Sequence, residues 1–224
     1  MSYFVTGTDT GVGKTLVSCA LLHAFAAKGK RVVGMKPVAC GCNQLGQYED
    51  VEQLLAAGNV DAGHDQISPY NFISPLAPNI AAKKAGRRIE FGPILDAYRA
   101  LSTQADVVIV EGTGGYRTPL NEQQDGADLA VRLGLPVVMV VGMRLGCLNH
   151  ALLTAAAIKA GGLELEGWVA NVLDGGMPAL RANIFALQQR LEAPMLGVTE
   201  FRRQPDARIA AAQLKVGLLQ SAGR

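Results

Sequence analysis

The first fifteen residues restrict the fold more than any other stretch of the chain. An apolar strand, Tyr3-Phe4-Val5, runs straight into Gly7-Thr8-Asp9-Thr10-Gly11-Val12-Gly13-Lys14-Thr15 and then into a helix-like segment. A strand, a glycine-rich turn, Gly-Lys-Thr and a helix start bring backbone N–H groups, a lysine charge and the helix dipole into one small volume that favours polyphosphate. The spacing is a variant: five residues separate Gly7 from Gly13 where the usual pattern has four, so Thr8 stands where the first glycine belongs.

The rest of the chain repeats the strand-then-helix theme. Core-facing positions at helical spacing follow Lys14 (Leu16, Cys19, Ala20, Leu22, His23, Ala26), with Gly29 as the stop. Arg31 to Lys36 reads as a second strand ended by Pro37, which completes a βαβ unit with a right-handed crossover. Short β-branched runs at 106–111, 136–141 and 166–171 read as strands covered on both faces, with a further short strand near 195–198. Helical patterns lie between them at about 90–104, 123–133, 147–161 and 178–192. This alternation predicts an α/β fold, a doubly wound, mostly parallel sheet of the P-loop NTPase kind. At 224 residues the chain suits a single domain, residues 1–224. Between Pro37 and Glu90 the pattern is broken by Gly and Pro, and a long irregular region of this kind reads as functional. Residues 221–224 are expected to fray, and the tail beyond about Gln204 is not assigned.

Composition excludes several classes. Lys and Arg number 21 and Asp and Glu 19; the net charge of +2 provides no field that would favour nucleic acid or a membrane surface. No apolar run is long enough for a membrane span and no signal-like start is present, so a cytoplasmic location is expected. Cys19, Cys40, Cys42 and Cys147 are then expected to be reduced thiols, and Cys40-Gly-Cys42 lacks both the spacing and the second pair of a zinc site.

In an open parallel sheet, ligands bind outside the carboxyl ends of the strands, so the residues there belong together. Lys14 is placed to reach the β and γ phosphates and the Thr15 hydroxyl to bind Mg²⁺. Glu111 ends the run Asp-Val-Val-Ile-Val, where a carboxylate can complete the magnesium shell, and Gly112-Thr113-Gly114-Gly115 lets the backbone pass close to the phosphates. Lys36 closes the second strand, either as a solvated strand end or as a second cation over the γ phosphate. Asp50 is a third magnesium-side acid or, as its place at a helix start favours, a carboxylate drawn there by the dipole. Gly146-Cys147-Leu148-Asn149 opens a helix whose N-terminus suits a carboxylate or serves as an ordinary cap. His150 reads as structural.

Taken together, GTDTGVGKT, KPVACG (36–41), VEGTGG (110–115), TPL (118–120), GCLNHA (146–151) and GWVAN (167–171) resemble the dethiobiotin synthetases, in that family's order over roughly residues 3–200. The resemblance implies an enzyme that uses ATP, CO₂ and 7,8-diaminopelargonate, with Mg²⁺, to close a cyclic urea by way of a carbamate and a carbamic-phosphoric anhydride. It implies ATP contacts from Gly11, Val12, Gly13, Lys14, Thr15, Leu16, Asp50, Glu111, Gly112, Thr113, Gly114 and Asn171, the last with adenine. Magnesium would fall to Thr15, Asp50 and Glu111. Thr10, Lys36 and Cys40 would face the substrate, with Thr10, Lys14 and Lys36 as catalytic groups. Gly146, Cys147, Leu148 and Asn149 would receive the substrate's carboxylate tail across a homodimer interface. Cys40, Gly11 and Thr113 depart from the family's usual serine, acid and alanine, and Val198-Thr199-Glu200-Phe201 lacks its Ile-Pro, which leaves nucleotide preference open. A rival in the same fold, the Min or partition-type ATPase switch, carries a signature lysine where this chain has Asp9.

Overall fold

The computed structural model describes residues 1–219; the expected fraying of 221–224 lies outside them. In chain order the elements are β1 (Ser2–Gly7), α1 (Lys14–Ala26), β2 (Val32–Met35), β3 (Val38–Cys40), α2 (Glu49–Ala57), α3 (His64–Ile67), β4 (Tyr70–Phe72), α4 (Pro78–Lys84), α5 (Phe91–Gln104) and β5 (Val107–Glu111). There follow α6 (Gly126–Leu133), β6 (Val137–Met143), α7 (Cys147–Ala160), β7 (Leu165–Val172), α8 (Leu180–Gln188), β8 (Met195–Thr199), α9 (Ala207–Ala212) and a 3₁₀ turn at Val216–Leu218.

Six strands form one sheet in the order β2-β5-β1-β6-β7-β8, and every pairing in it is parallel. The doubly wound arrangement expected from the sequence is therefore present, with helices over both faces. Strand alternation divides the side chains. Tyr3, Val5, Val107 and Ile109 pack with α1, while Phe4, Val108 and Val110 join the opposite layer with Ile94 and Leu101 of α5. Each such fully buried aliphatic side chain contributes roughly 1.5–3 kcal/mol of transfer free energy. Beyond β6 a third cluster gathers Met139, Val141, Trp168 and Leu187 under α7 and α8.

The region from Pro37 to Glu90 is more ordered than its sequence suggests. It holds α2, α3, α4 and a second parallel sheet in which Val38, Ala39 and Cys40 pair with Tyr70, Asn71 and Phe72. Strands of three residues are too short to show a period, and their neighbouring Gly and Pro residues read as loop. The tail, unassigned from sequence, returns as α9 against α1, burying Ala210 and Leu214. The helix expected at 178–192 is shorter than its apolar pattern, running from Leu180 to Gln188. Among the described residues no helix is long and apolar enough to cross a membrane.

Register brings the site together. Val5 pairs with Glu111 and Met35 with Val110, so Lys36 and Glu111, the next residues along β2 and β5, emerge side by side. Glu111 shares the parity of Val107 and Ile109 and so faces α1.

Candidate active site

The variant loop owes its shape to Val12. That side chain is 1% exposed and folds back into the core. A Cβ on Gly7 would lie 2.5 Å from it and one on Gly142 2.8 Å, so the added residue is absorbed where two glycines leave room. Thr10 and Gly11 are left exposed at the loop's crest. Gly13 has φ of 89°, and a Cβ there would sit 2.1 Å from Asn171 Nδ2; both facts demand glycine. Helix α1 then starts at Lys14 with neither a side-chain cap nor an acidic residue in its first turn. Its amide groups and dipole are left for an anion.

Three charged groups and a hydroxyl converge beside this loop. Lys36 Nζ lies 2.5 Å from Glu111 Oε1 and 2.8 Å from Asp50 Oδ2. The Thr15 hydroxyl is 2.8 Å from Glu111 Oε1 and 3.0 Å from Asp50 Oδ1; having one hydrogen, it donates to one of them at a time. Lys36 is 3% exposed and Glu111 fully buried, which removes the solvated reading of Lys36. Burial works against the Lys36 ammonium, but the Glu111 and Asp50 carboxylates outweigh it and hold its pKa above the ordinary lysine value. For Asp50, burial acts in the opposite sense to the nearby Lys36 charge and hydrogen bonds, and the net effect is a lowered pKa. Asp50 thus fits both of its sequence readings: it lies in the acidic first turn of α2 and it faces the cluster.

Lys14 behaves differently. Its Nζ donates to the Asp9 carbonyl at 3.0 Å, folded back over its own loop. Burial, and next the like charge of Lys36, push its pKa down to about 8. It is a lysine whose charge is short of a carboxylate partner, and a phosphate would supply one.

Oε2 of Glu111 is buried without a hydrogen-bond partner, a costly state for a carboxylate oxygen. With Thr15 Oγ1 and Asp50 it forms a hard oxygen set. No group of three or more His, Cys, Asp or Glu suited to a metal occurs among the described residues. The oxygen donors of Thr15, Asp50 and Glu111 fit Mg²⁺, which takes one or two carboxylates and completes its shell with phosphate oxygens and water.

These residues line a cleft of about 760 Å³. Thr10, Gly11, Gly13, Lys14, Thr15, Lys36, Cys40, Asp50, Glu111, Thr113 and Gly114 all reach it. Val12, Leu16, Gly112 and Asn171 do not: Val12 and Asn171 are buried behind the loop, and Leu16 packs against the α1 cluster. Cys40 carries a thiol that burial pushes up to about 11, so it faces the cleft protonated. Thr113 Oγ1 donates to the Val38 carbonyl at 2.5 Å, tying the segment after β5 to the strand that carries Cys40. The far wall is Pro75-Leu76-Ala77-Pro78, together with Thr118. In the sequence Thr118 stands out only within a motif and 75–78 carries no assigned role; the signal there is the proline-bracketed run Pro75-Leu76-Ala77-Pro78.

Gly146, Cys147, Leu148 and Asn149 lie outside this cleft. Gly146, with φ of 91°, is the N-cap of α7, which opens with no side-chain cap. Asn149 is exposed and Cys147 buried. Just upstream, Arg144 pairs with the Asp9 carboxylate, a contact the sequence did not reveal. A hydrogen bond from the Thr10 backbone N–H, then the Arg144 guanidinium, hold the Asp9 pKa low.

A family model described as an AAA domain matches residues 1–207. Among curated proteins, the ATP-dependent dethiobiotin synthetase BioD of Nitrosospira multiformis is 53% identical, with 96% of this chain and 94% of the relative covered. That of Aromatoleum aromaticum is 50% identical, with 96% and 97% covered. Among solved structures, the septum site-determining protein MinD of Pyrococcus horikoshii, complexed with Mg-ADP, has a TM-score of 0.52 at 16% identity, over 97% of this chain and 89% of that one. The cell division protein FtsY of Thermotoga maritima has a TM-score of 0.53 at 19% identity, over 99% and 69%. At such low identity MinD and FtsY speak for the P-loop fold alone; identity of about half along nearly the whole length speaks for more, and the chain belongs to the ATP-dependent dethiobiotin synthetase family.

Proposed function

We propose that the chain carboxylates 7,8-diaminopelargonate and closes its two amines into the cyclic urea of dethiobiotin, with ATP converted to ADP and phosphate. One amine takes up CO₂ as a carbamate. A carbamate oxygen attacks the γ phosphorus and displaces ADP, giving a carbamic-phosphoric anhydride. The second amine then attacks the carbonyl carbon and expels phosphate. The observation that carries this reading is the Lys36–Glu111–Asp50–Thr15 cluster, set beside the free start of α1 on one cleft.

The roles follow from charge. Lys14 exchanges the Asp9 carbonyl for phosphate oxygens, and the gain in charge pairing restores its pKa. Thr15, Asp50 and Glu111 would hold Mg²⁺, which neutralises phosphate charge and orients the triphosphate when bound. Lys36, released from part of its carboxylate pairing, faces the carbamate and the transferring phosphoryl group, where negative charge grows. Thr10 and Cys40 border the same space as substrate contacts, and one N–H and one lone pair of Asn171 remain for adenine. The two amines of the substrate are the nucleophiles, so no separate protein nucleophile is required.

The test is phosphate release from Mg-ATP in the presence and absence of the diamine and bicarbonate. Release is expected to require both. Hydrolysis indifferent to the diamine but raised by DNA or lipid vesicles would favour the partition-type switch instead.

We further infer a homodimer in which Gly146 to Asn149 receives the carboxylate tail bound to the partner's cleft. Two features support it: that segment lies outside the cleft of its own chain, and Leu145 (99% exposed), just before α7, and Leu153 (62%), on it, are exposed apolar side chains on either side of the segment in sequence. Random mixing of Asn149→Ala with Lys14→Ala subunits makes half the dimers mixed, each with one intact site. About a quarter of wild-type activity should then return, as expected for an isologous shared site. Absence of recovery would show that each chain works alone.

A further inference from the structure

Behind the phosphate loop, the carboxyl ends of β7 and β8 carry a polar pair that phosphoryl transfer does not use. Asn171 is 5% exposed and Thr199 1%. Asn171 Nδ2 donates to the Val12 carbonyl at 2.8 Å, and Thr199 Oγ1 donates to Asn171 Oδ1. The order of this chain is set by chemistry. A backbone carbonyl only accepts, so the amide must present nitrogen to Val12; its oxygen then faces Thr199, whose hydroxyl must donate. A buried amide held at both ends has one orientation.

The same amide sets the loop's position from behind. Nδ2 fills the space a Gly13 Cβ would need, and the Val12 side chain is wedged beside Gly7 and Gly142. At its other end the loop is tied by the Thr8 N–H to the Val140 carbonyl, 3.0 Å. Between these ties, Thr10 and Gly11 are exposed and depend on them for their course.

We propose that Thr199 is a positioning residue which, through Asn171, braces the phosphate loop of this chain, so that the pair governs affinity for the triphosphate itself as well as any contact with the base. The inference rests on the reading that the loop binds ATP phosphates. The hydroxyl stands on the last residue of β8, beside the end of β7 that carries Asn171.

Thr199→Val keeps the shape and removes the donor, leaving Asn171 Oδ1 buried without its partner; Thr199→Ser keeps the donor. Binding of Mg-ATP, Mg-GTP and Mg-tripolyphosphate is measured calorimetrically without diamine. Thr199→Val is expected to weaken all three by a similar factor, about tenfold, as for a buried polar group that loses its partner. Thr199→Ser should stay within about twofold of wild type by the same argument. Weakened ATP with unchanged tripolyphosphate would overturn the proposal, since Asn171 would then act on the base alone. Unchanged affinity for all three would overturn it too. If Thr199→Val does not fold, Thr199→Ala gives the same comparison. Failure of the dethiobiotin reading is separable, because no substrate amine enters these measurements: wild-type chain that bound all three ligands yet turned over no diamine would leave the brace standing.

Discussion

Replacing Lys36 with alanine is expected to lower kcat by about two to three orders of magnitude, the usual cost of removing a group aimed at charge that develops in the transition state. The dissociation constant of Mg-ATP should change by less than about fivefold, because Lys14, the loop amides and the α1 dipole remain. A structural cost will accompany the kinetic one. Glu111 is fully buried and Lys36 is its nearest cation, so the ligand-free variant holds an uncompensated carboxylate, a defect worth roughly 3–5 kcal/mol. Mg²⁺ with ATP should recover most of the lost melting temperature, since a cation then offsets the buried Glu111 carboxylate. Single-turnover phosphate release, calorimetric ATP binding and thermal melts separate the three effects. Equal losses of ATP affinity and turnover would reduce Lys36 to a general phosphate contact.

Gly13→Ala should weaken nucleotide binding itself, through the backbone of the loop. The backbone there is left-handed, at φ of 89°, which costs a residue with a side chain roughly 1–2 kcal/mol. The added methyl would also meet Asn171 Nδ2 at 2.1 Å, so either the amide leaves Val12 or the loop moves forward. Both displace the amides that face the phosphates, and a shift of about 1 Å in a positioning element costs roughly a hundredfold. Affinity for Mg-ATP and Mg-tripolyphosphate should therefore fall together by about two orders of magnitude, with the fold retained by circular dichroism. Normal ATP binding by Gly13→Ala would mean that the loop rearranges freely.

The strands at β1, β2 and β5 to β8 were legible because runs such as 107–111 and 137–143 are buried on both faces and leave no polar period to misread. The small β3–β4 sheet was not legible, because three-residue strands carry no pattern. In the site, Lys14, Thr15 and Glu111 could be named from spacing alone. Lys36 and Asp50 could not be decided, since one residue at a strand end and another at a helix start each have an ordinary solvated explanation. The Arg144–Asp9 pair and the Thr199–Asn171–Val12 chain span more than a hundred residues or join two strand ends, and neither leaves a local signature.

Sequence by itself determined the local chemistry: a phosphate loop with one added residue, a carboxylate at the end of a buried strand, and glycines where no side chain fits. Those are properties of neighbouring residues, set by backbone sterics and by the period of burial. Only the tertiary structure decided which charges meet. The register of β2 against β5 brings Lys36 beside Glu111, α2 delivers Asp50 to Lys36 and Thr15, and β7 with β8 holds the loop from behind. A buried charge is tolerated only with its counter-charge, and that partner is selected by strand order, which a linear chain does not display.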